Sequence, residues 1–362
     1  MTTQRAAAAP PATIARMQRP DASEDDRMTE TLSSRAPAPG EIPVIDIAPL
    51  RAGDAAGKRR VADEIGRACR GIGFFYVSGH GIAEAAMTKV FGEAKRFFSL
   101  PESEKNLISI SRSMHNRGYV PLEGENLDPS RDPDLKECFN IGRDLAADDP
   151  DVVAGRPFHG PNQWPELAGW RECMYGHYLR LKALCETLHV AFAIDLGLPE
   201  DFFAPLLDRP LATLRLLHYP PHPGMPDPKQ LGCAPHTDYG NVTVLAQDGV
   251  EGLQVLTRDG GEWLDAPVIP GAFVCNIGDL LMRWTNDVYV STPHRVINRS
   301  GKERYSMAFF HDPNDDAVIE GLPGCVGPDR PARYPVTTGG RYLADRLNAT
   351  YAFRRNAEQK TA

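Results

Sequence analysis

The chain has 362 residues, 42% of them hydrophobic, enough for a large core in one big domain or two ordinary ones. Its formal net charge of −8, with no stripe of Lys or Arg, argues against nucleic acid or an anionic membrane surface as the main partner. The seven cysteines are odd in number, scattered and without a C-x-x-C pair, which excludes a disulfide framework or a Cys-type zinc site and implies free thiols.

Residues 1–40 are rich in Ala, Pro, Arg, Ser and Asp and lack apolar periodicity, so a disordered tail is expected there. Its acidic residues, such as Asp21, Glu24 and Asp25, do not suit a transit peptide. No hydrophobic block resembles a signal peptide, and no stretch approaches the ~18 apolar residues of a membrane span. A cytoplasmic protein is the expectation.

Order is expected from Ile42. Ile42–Ile47 reads as a strand, stopped by Pro49. Ala55–Gly71 carries Val61, Ile65, Ala68 and Cys69 on one helical face, and Phe74–Val77 is a buried strand by composition. Ala83–Phe98 is a second helix, with Met87, Val90, Phe91, Ala94 and Phe97 at helical spacing. Residues 110–163 read as irregular. Trp164–Leu196 is a long helix with Leu181, Leu184, Cys185, Leu188 and Phe192 on one face.

From Leu211 the texture becomes β. Expected strands are Leu214–Tyr219, Val242–Gln247, Leu253–Leu256, Trp263–Val268, Ala272–Asn276, Val288–Ser291, Arg295–Asn298 and Tyr305–Phe310. Turn markers separate them, including Pro-Gly at 223–224 and Asp-Gly at 248–249. Short strands at this spacing point to a double-sheet jelly roll. Gly340–Tyr351 reads as a last helix. The expected organisation is a tail at 1–40, a mixed helical region at 41–200 packing on the core, a jelly-roll core at 201–335, and a C-terminal helix and tail at 336–362. The fold class is α+β, a double-stranded β-helix (jelly roll) core with N-terminal and flanking helices.

Three features in the β half carry chemistry. In His236-Thr237-Asp238 an imidazole and a carboxylate two residues apart point to one face of an extended chain. His294 lies on a later strand that a jelly roll can bring alongside. Two His and one carboxylate form the facial triad of non-haem Fe(II) oxygenases, which leaves coordination positions open for co-substrate and O2. Arg304 and Ser306 share a strand face, where a guanidinium and a hydroxyl suit a carboxylate.

These motifs sit in a longer pattern that covers about residues 41–350. It comprises Ile42-Pro43-Val44-Ile45-Asp46, Gly73-Phe74-Phe75-Tyr76-Val77, Gly79-His80-Gly81, Arg117-Gly118-Tyr119 and Leu214–Pro221. It continues through His236-Thr237-Asp238-Tyr239-Gly240, Gly278-Asp279, His294-Arg295-Val296 and Arg304-Tyr305-Ser306. The chain resembles the isopenicillin N synthase-like Fe(II)/2-oxoglutarate oxygenases, and is similar to bacterial members named ethylene- or succinate-forming enzymes. The resemblance implies that His236, Asp238 and His294 hold Fe(II), that Arg304 and Ser306 grip the distal carboxylate of 2-oxoglutarate, and that Tyr219 contacts this co-substrate. Many plant members have Asn where Leu217 stands here. Because Asp238 is present, halogenation is not expected. The implied activity is oxidation of a small molecule by O2 (hydroxylation, desaturation or ring closure) coupled to oxidative decarboxylation of 2-oxoglutarate.

Other readings stay open at this point: an Fe(II) oxidase that dispenses with 2-oxoglutarate, a jelly-roll binding protein without activity, and a zinc hydrolase. His80, His218, His222 and His311 read as structural, and Asp279 as a turn former. Tyr119, Phe139, Tyr239 and Phe309 are candidates to line a substrate pocket. The prime substrate and the oligomeric state are not legible.

Overall fold

A computed structural model describes residues 32–128, 130–222 and 227–350. Contacts divide the chain after Ser33, and the unit from Ser34 carries the elements described below. The expected disorder of residues 1–31, the 223–224 turn and the chain beyond residue 350 lie outside the described residues.

Two antiparallel-rich sheets form the core. The strands are β1 (Val44–Asp46), β2 (Phe74–Ser78), β3 (Gly118–Val120), β4 (Glu137–Gly142), β5 (Thr213–Tyr219), β6 (Cys233–His236), β7 (Val242–Gln247), β8 (Leu253–Leu256), β9 (Trp263–Asp265), β10 (Phe273–Ile277), β11 (His294–Val296) and β12 (Arg304–His311). The large sheet runs β1-β2-β10-β7-β12-β5-β4-β3 and the small one β6-β11-β8-β9. Strand alternation divides the core. On β12, Tyr305, Met307 and Phe309 face the helices, while Ala308 packs between the sheets with Leu217, Val255, Val274 and Val296. The helices Ala55–Arg70, Glu84–Phe98 and Trp170–Asp195 cover the outer face of the large sheet with the apolar residues that their periodicity marks.

Several boundaries differ from those read in the sequence, each for a physical reason. Structure extends into the expected tail at residues 32–40, where Arg35 pairs with the edge strand β9. Its N–H donates to Trp263 O at 2.9 Å, its carbonyl accepts from Asp265 N at 2.8 Å, and its side chain bridges Glu41 and Glu262. Residues 41–200 are not a region merely packed on the core: they supply β1–β4 to the large sheet, so the proposed division at 200/201 crosses one sheet. β4 lies in the segment read as irregular. The long helix starts at Trp170, since Gly169 enters it at φ 76°. Val288–Ser291 is not a strand. Asn286 and Asp287 take φ of 52° and 64° ahead of it, and Val290 N donates to Cys69 O at 2.9 Å. Among the described residues no helix is long and apolar enough to cross a membrane.

The helix-side core also buries His177, His189 and His311. Burial pushes the imidazoles of His177 and His189 down to about 4 and that of His311 well below its usual range. A depressed histidine takes up its proton more readily in the unfolded chain. Stability is therefore full above pH ~6.5 and falls as the pH drops toward 4. At pH 5 the loss should be about 2 kcal/mol for each of His177 and His189, read as a fall in urea-unfolding free energy relative to pH 7.5. His177→Leu should remove its share, because both ring nitrogens lack a partner. An unchanged pH dependence in that variant would count against this assignment.

Candidate active site

β6 and β11 pair so that His236 and His294 are direct cross-strand neighbours, with ring centroids 4.3 Å apart. Asp238 follows β6 by two residues and turns its carboxylate to the same point. Its Oδ1 lies 3.8 Å from His236 Nε2 and 3.7 Å from His294 Nε2, and the three donor atoms all fall within 4.8 Å of one another. No other group of three such side chains is placed to hold a metal among the described residues.

The supporting contacts fix which atoms are free. His236 Nδ1 lies 2.8 Å from Ala234 O, and His294 Nδ1 lies 3.2 Å from Thr292 O. A carbonyl only accepts, so Nδ1 carries the proton and each Nε2 presents a lone pair inward. Asp238 Oδ2 accepts from Thr243 Oγ1 and from Asn276 Nδ2 at 2.7 Å, which leaves Oδ1 for an ion. Burial alone would raise the Asp238 pKa. The facing imidazoles and the two donated hydrogen bonds outweigh it, and the carboxylate stays below its usual range. Burial, then the neighbouring His236, pushes His294 down to about 4, so its ring is neutral at pH 7. Two imidazoles that aim Nε2 inward and one carboxylate on one side of a point fit a divalent iron with positions left open.

The loop holding Asp238 is braced from behind. Asp279 N donates to Asp238 O at 2.8 Å, and Thr237 Oγ1 donates to Asp279 Oδ2 at 3.1 Å. Asp279 Oδ2 also accepts from Arg346 Nη2 at 2.8 Å, tying the helix Gly339–Thr350 to the Asp238 loop. Asp279 is therefore more than a turn former: it opens the short helix Asp279–Trp284 and joins three segments.

Arg304 is completely buried on the inward face of β12. Its Nη1 reaches Ser306 Oγ at 3.4 Å, Nη2 reaches Gln247 Oε1 at 3.1 Å, Nε reaches Val250 O at 3.2 Å, and the guanidinium lies over the Tyr219 ring at 4.9 Å. It has no ion-pair partner among the described residues. Removing a guanidinium from water without a counter-charge costs several kcal/mol, and a ligand carboxylate would supply that charge beside Ser306 and Tyr219. Leu217 is the register partner of Ser306 on β5.

A cavity of about 130 Å³ opens from His236 and Asp238 along the inner face of the large sheet. Its apolar wall includes Phe158, Leu211 and Phe310, with Leu343 and Leu347 from the C-terminal helix. Of the aromatic candidates only Tyr239 lines it; Tyr119, Phe139 and Phe309 belong to the helix-side core. His218 faces away from the metal point and bonds Glu137 at 2.7 Å, and His80 bonds Gly271 O at 3.0 Å. Thr243, Asn276, Asn140 and Asp312 carry no sequence motif, and Arg117 figures in one only as part of the Arg117-Gly118-Tyr119 segment. The available signal for the first two was a polar side chain on the inward face of an otherwise apolar strand.

Two family models match the chain. Residues 42–167 match the N-terminal region of a non-haem dioxygenase in morphine synthesis, and residues 210–313 match the 2OG-Fe(II) oxygenase superfamily. The 2-oxoglutarate-Fe(II) type oxidoreductase hxnY of Emericella nidulans is 40% identical over 306 residues, covering 83% of this chain and 88% of that protein. A homoarginine-6-hydroxylase of Arabidopsis thaliana is 36% identical, covering 83% of this chain and 91% of that one. The crystal structure of a full-length Neurospora crassa protein in complex with alpha-KG and thymine superposes with a TM-score of 0.76 at 34% identity, covering 86% of this chain and 97% of that one.

Proposed function

Because this chain belongs to the 2-oxoglutarate–Fe(II) oxygenase superfamily, we propose that His236, Asp238 and His294 hold its iron and that Arg304, Ser306 and Tyr219 hold its co-substrate. The protein is a 2-oxoglutarate-dependent Fe(II) dioxygenase acting on a small molecule, and the readings as an iron oxidase without 2-oxoglutarate or as an inactive binding protein are set aside.

The observation that carries the site assignment is the convergence of two Nε2 atoms and one Oδ1 on a single point, with Arg304 buried on β12 and without an ion-pair partner among the described residues. Iron, when bound, supplies the redox chemistry that activates O2 at the expense of 2-oxoglutarate. The chain's own part is placement. Ala234 O and Thr292 O hold the imidazole tautomers, and Thr243 and Asn276 hold the carboxylate. Arg304 and Ser306 fix the far end of the co-substrate, and the apolar wall excludes water.

Hydroxylation is the outcome proposed, as in the relative named a homoarginine-6-hydroxylase. One C–H of the substrate becomes C–OH with one atom of O2, while the other atom enters succinate as CO2 leaves 2-oxoglutarate.

The test is an anaerobic titration. Fe(II) followed by 2-oxoglutarate should produce a visible charge-transfer band that needs both, and admission of O2 should release succinate. Iron binding without a band on adding 2-oxoglutarate would overturn the assignment of Arg304, Ser306 and Tyr219. Absence of iron binding would overturn the triad.

A further inference from the structure

The charged side chains in the cavity wall can be accounted for one by one. Glu125 pairs with Arg215 at 2.6 Å and with Lys136 at 3.3 Å, and Lys136 also pairs with Asp134 at 2.6 Å. Asp238 faces the metal point. Two charges remain. Arg117 is 3% exposed and has no ion-pair partner among the described residues. Its Nη2 donates to Phe158 O at 3.1 Å, and its Nε has no hydrogen-bond partner among the described residues. Asp312 is 5% exposed, likewise has no ion-pair partner among the described residues, and its Oδ1 has no hydrogen-bond partner. Both line the same cavity.

Backbone register sets their positions. The Arg117 guanidinium lies on the α-carbon of Gly142, the last residue of β4, where a Cβ would collide with Cζ. Gly142 pairs with Thr213 on β5, and Thr213 with Phe310 on β12. Asp312 follows directly after β12, against Gly240, where a Cβ would collide with its Oδ1. Gly240 is two residues past Asp238, so Asp312 marks the metal end of the cavity. Arg117 marks the far end, two strand spacings or about 10 Å across the sheet. Phe310, Leu211 and Phe158 line the cavity with them.

A buried guanidinium and a buried carboxyl, each without an ion-pair partner among the described residues and too far apart to neutralise one another, are costly to keep ionised in an empty pocket. A ligand with the complementary pair relieves both. Resting on the function proposed above, we infer that the prime substrate is dipolar: a carboxylate that meets Arg117, a cationic nitrogen group that meets Asp312, and an apolar chain between them. The carbon presented for oxidation then lies near the cationic end, beside His236 and Asp238. Burial, and Asp238 after it, lifts the Asp312 carboxyl to about 7, so near neutral pH it is partly protonated in the empty pocket, and a cationic ligand group would favour its ionised form.

The experiment uses anaerobic calorimetry on the full chain. Fe(II) and 2-oxoglutarate are titrated first. The loaded protein then receives 4-aminobutanoate, 6-aminohexanoate and 8-aminooctanoate, with hexanoate and hexylamine as singly charged controls. At least one ω-amino acid should bind about tenfold or more tightly than either control. Asp312→Asn should abolish the advantage over hexanoate without changing hexanoate itself. Arg117→Gln should abolish the advantage over hexylamine without changing hexylamine. A merely structural role for either residue would weaken every probe alike and would overturn the inference, as would a ladder that binds no better than hexanoate. Because loading is measured first, failure to take up iron or 2-oxoglutarate would strike at the proposed function. A loaded protein indifferent to the ladder would overturn only the dipolar substrate.

Discussion

Replacing His294 by alanine is expected to lower iron affinity and succinate release by at least about a thousandfold. Changes to groups that merely hold metal ligands already cost about 10–100-fold, and here a proposed ligand itself is lost. The remaining pair, His236 Nε2 and Asp238 Oδ1, 3.8 Å apart, would grip a metal from one edge only. The fold should survive, because Asp238 keeps its hydrogen bonds from Thr243 and Asn276 and the pairing of β11 with β6 and β8 is made by backbone. A graded series makes the test specific. Asn276→Ala removes one of the two donors to Asp238 Oδ2 and should weaken iron binding by about 10–100-fold. Metal content after anaerobic loading, measured with the melting temperature of the metal-free protein, separates the two effects. A His294→Ala protein that retains iron at the normal stoichiometry would remove His294 from the ligand set.

The triad was legible in sequence because strand geometry converts spacing into direction. His236 and Asp238 two apart share a face, and one further His on another short strand completes three donors. The shared strand face of Arg304 and Ser306 was legible on the same alternation. Polar residues that meet only through register were not. Thr243 and Asn276 are neighbours because β7 lies beside β10 in the large sheet, and no local pattern announces that order. β4 escaped notice because its outward Glu137 is satisfied by Lys105, Tyr119 and His218 inside the protein, so a charge that reads as solvent-facing is buried. Val288–Ser291 has strand composition but follows two left-handed residues, and backbone conformation overrode propensity there. Phe309 and Tyr239 looked equivalent as pocket aromatics. One residue of alternation on β12 sends Phe309 to the helices, while Tyr239, in the loop after Asp238, reaches the cavity.

Arg304→Met is expected to separate function from stability. Truncating one partner of a buried, hydrogen-bonded charge pair costs about 2–5 kcal/mol, which corresponds to roughly 30-fold to several-thousand-fold in affinity. The Michaelis constant for 2-oxoglutarate should rise within that range while iron affinity stays unchanged, since Arg304 does not touch the triad. Stability should move little or rise. In the ligand-free protein the guanidinium is wholly buried without an ion pair among the described residues, held by Gln247, Val250 O, Ser306 and the Tyr219 ring. Replacing such a charge by an apolar side chain of similar length is often neutral or stabilising. Arg304→Lys keeps the charge but loses the planar fork, so its Michaelis constant should fall between the two. A structural role for Arg304 predicts the opposite pattern, a lower melting temperature with an unchanged Michaelis constant. The measurement therefore decides whether this buried charge is kept for the fold or for the carboxylate it awaits.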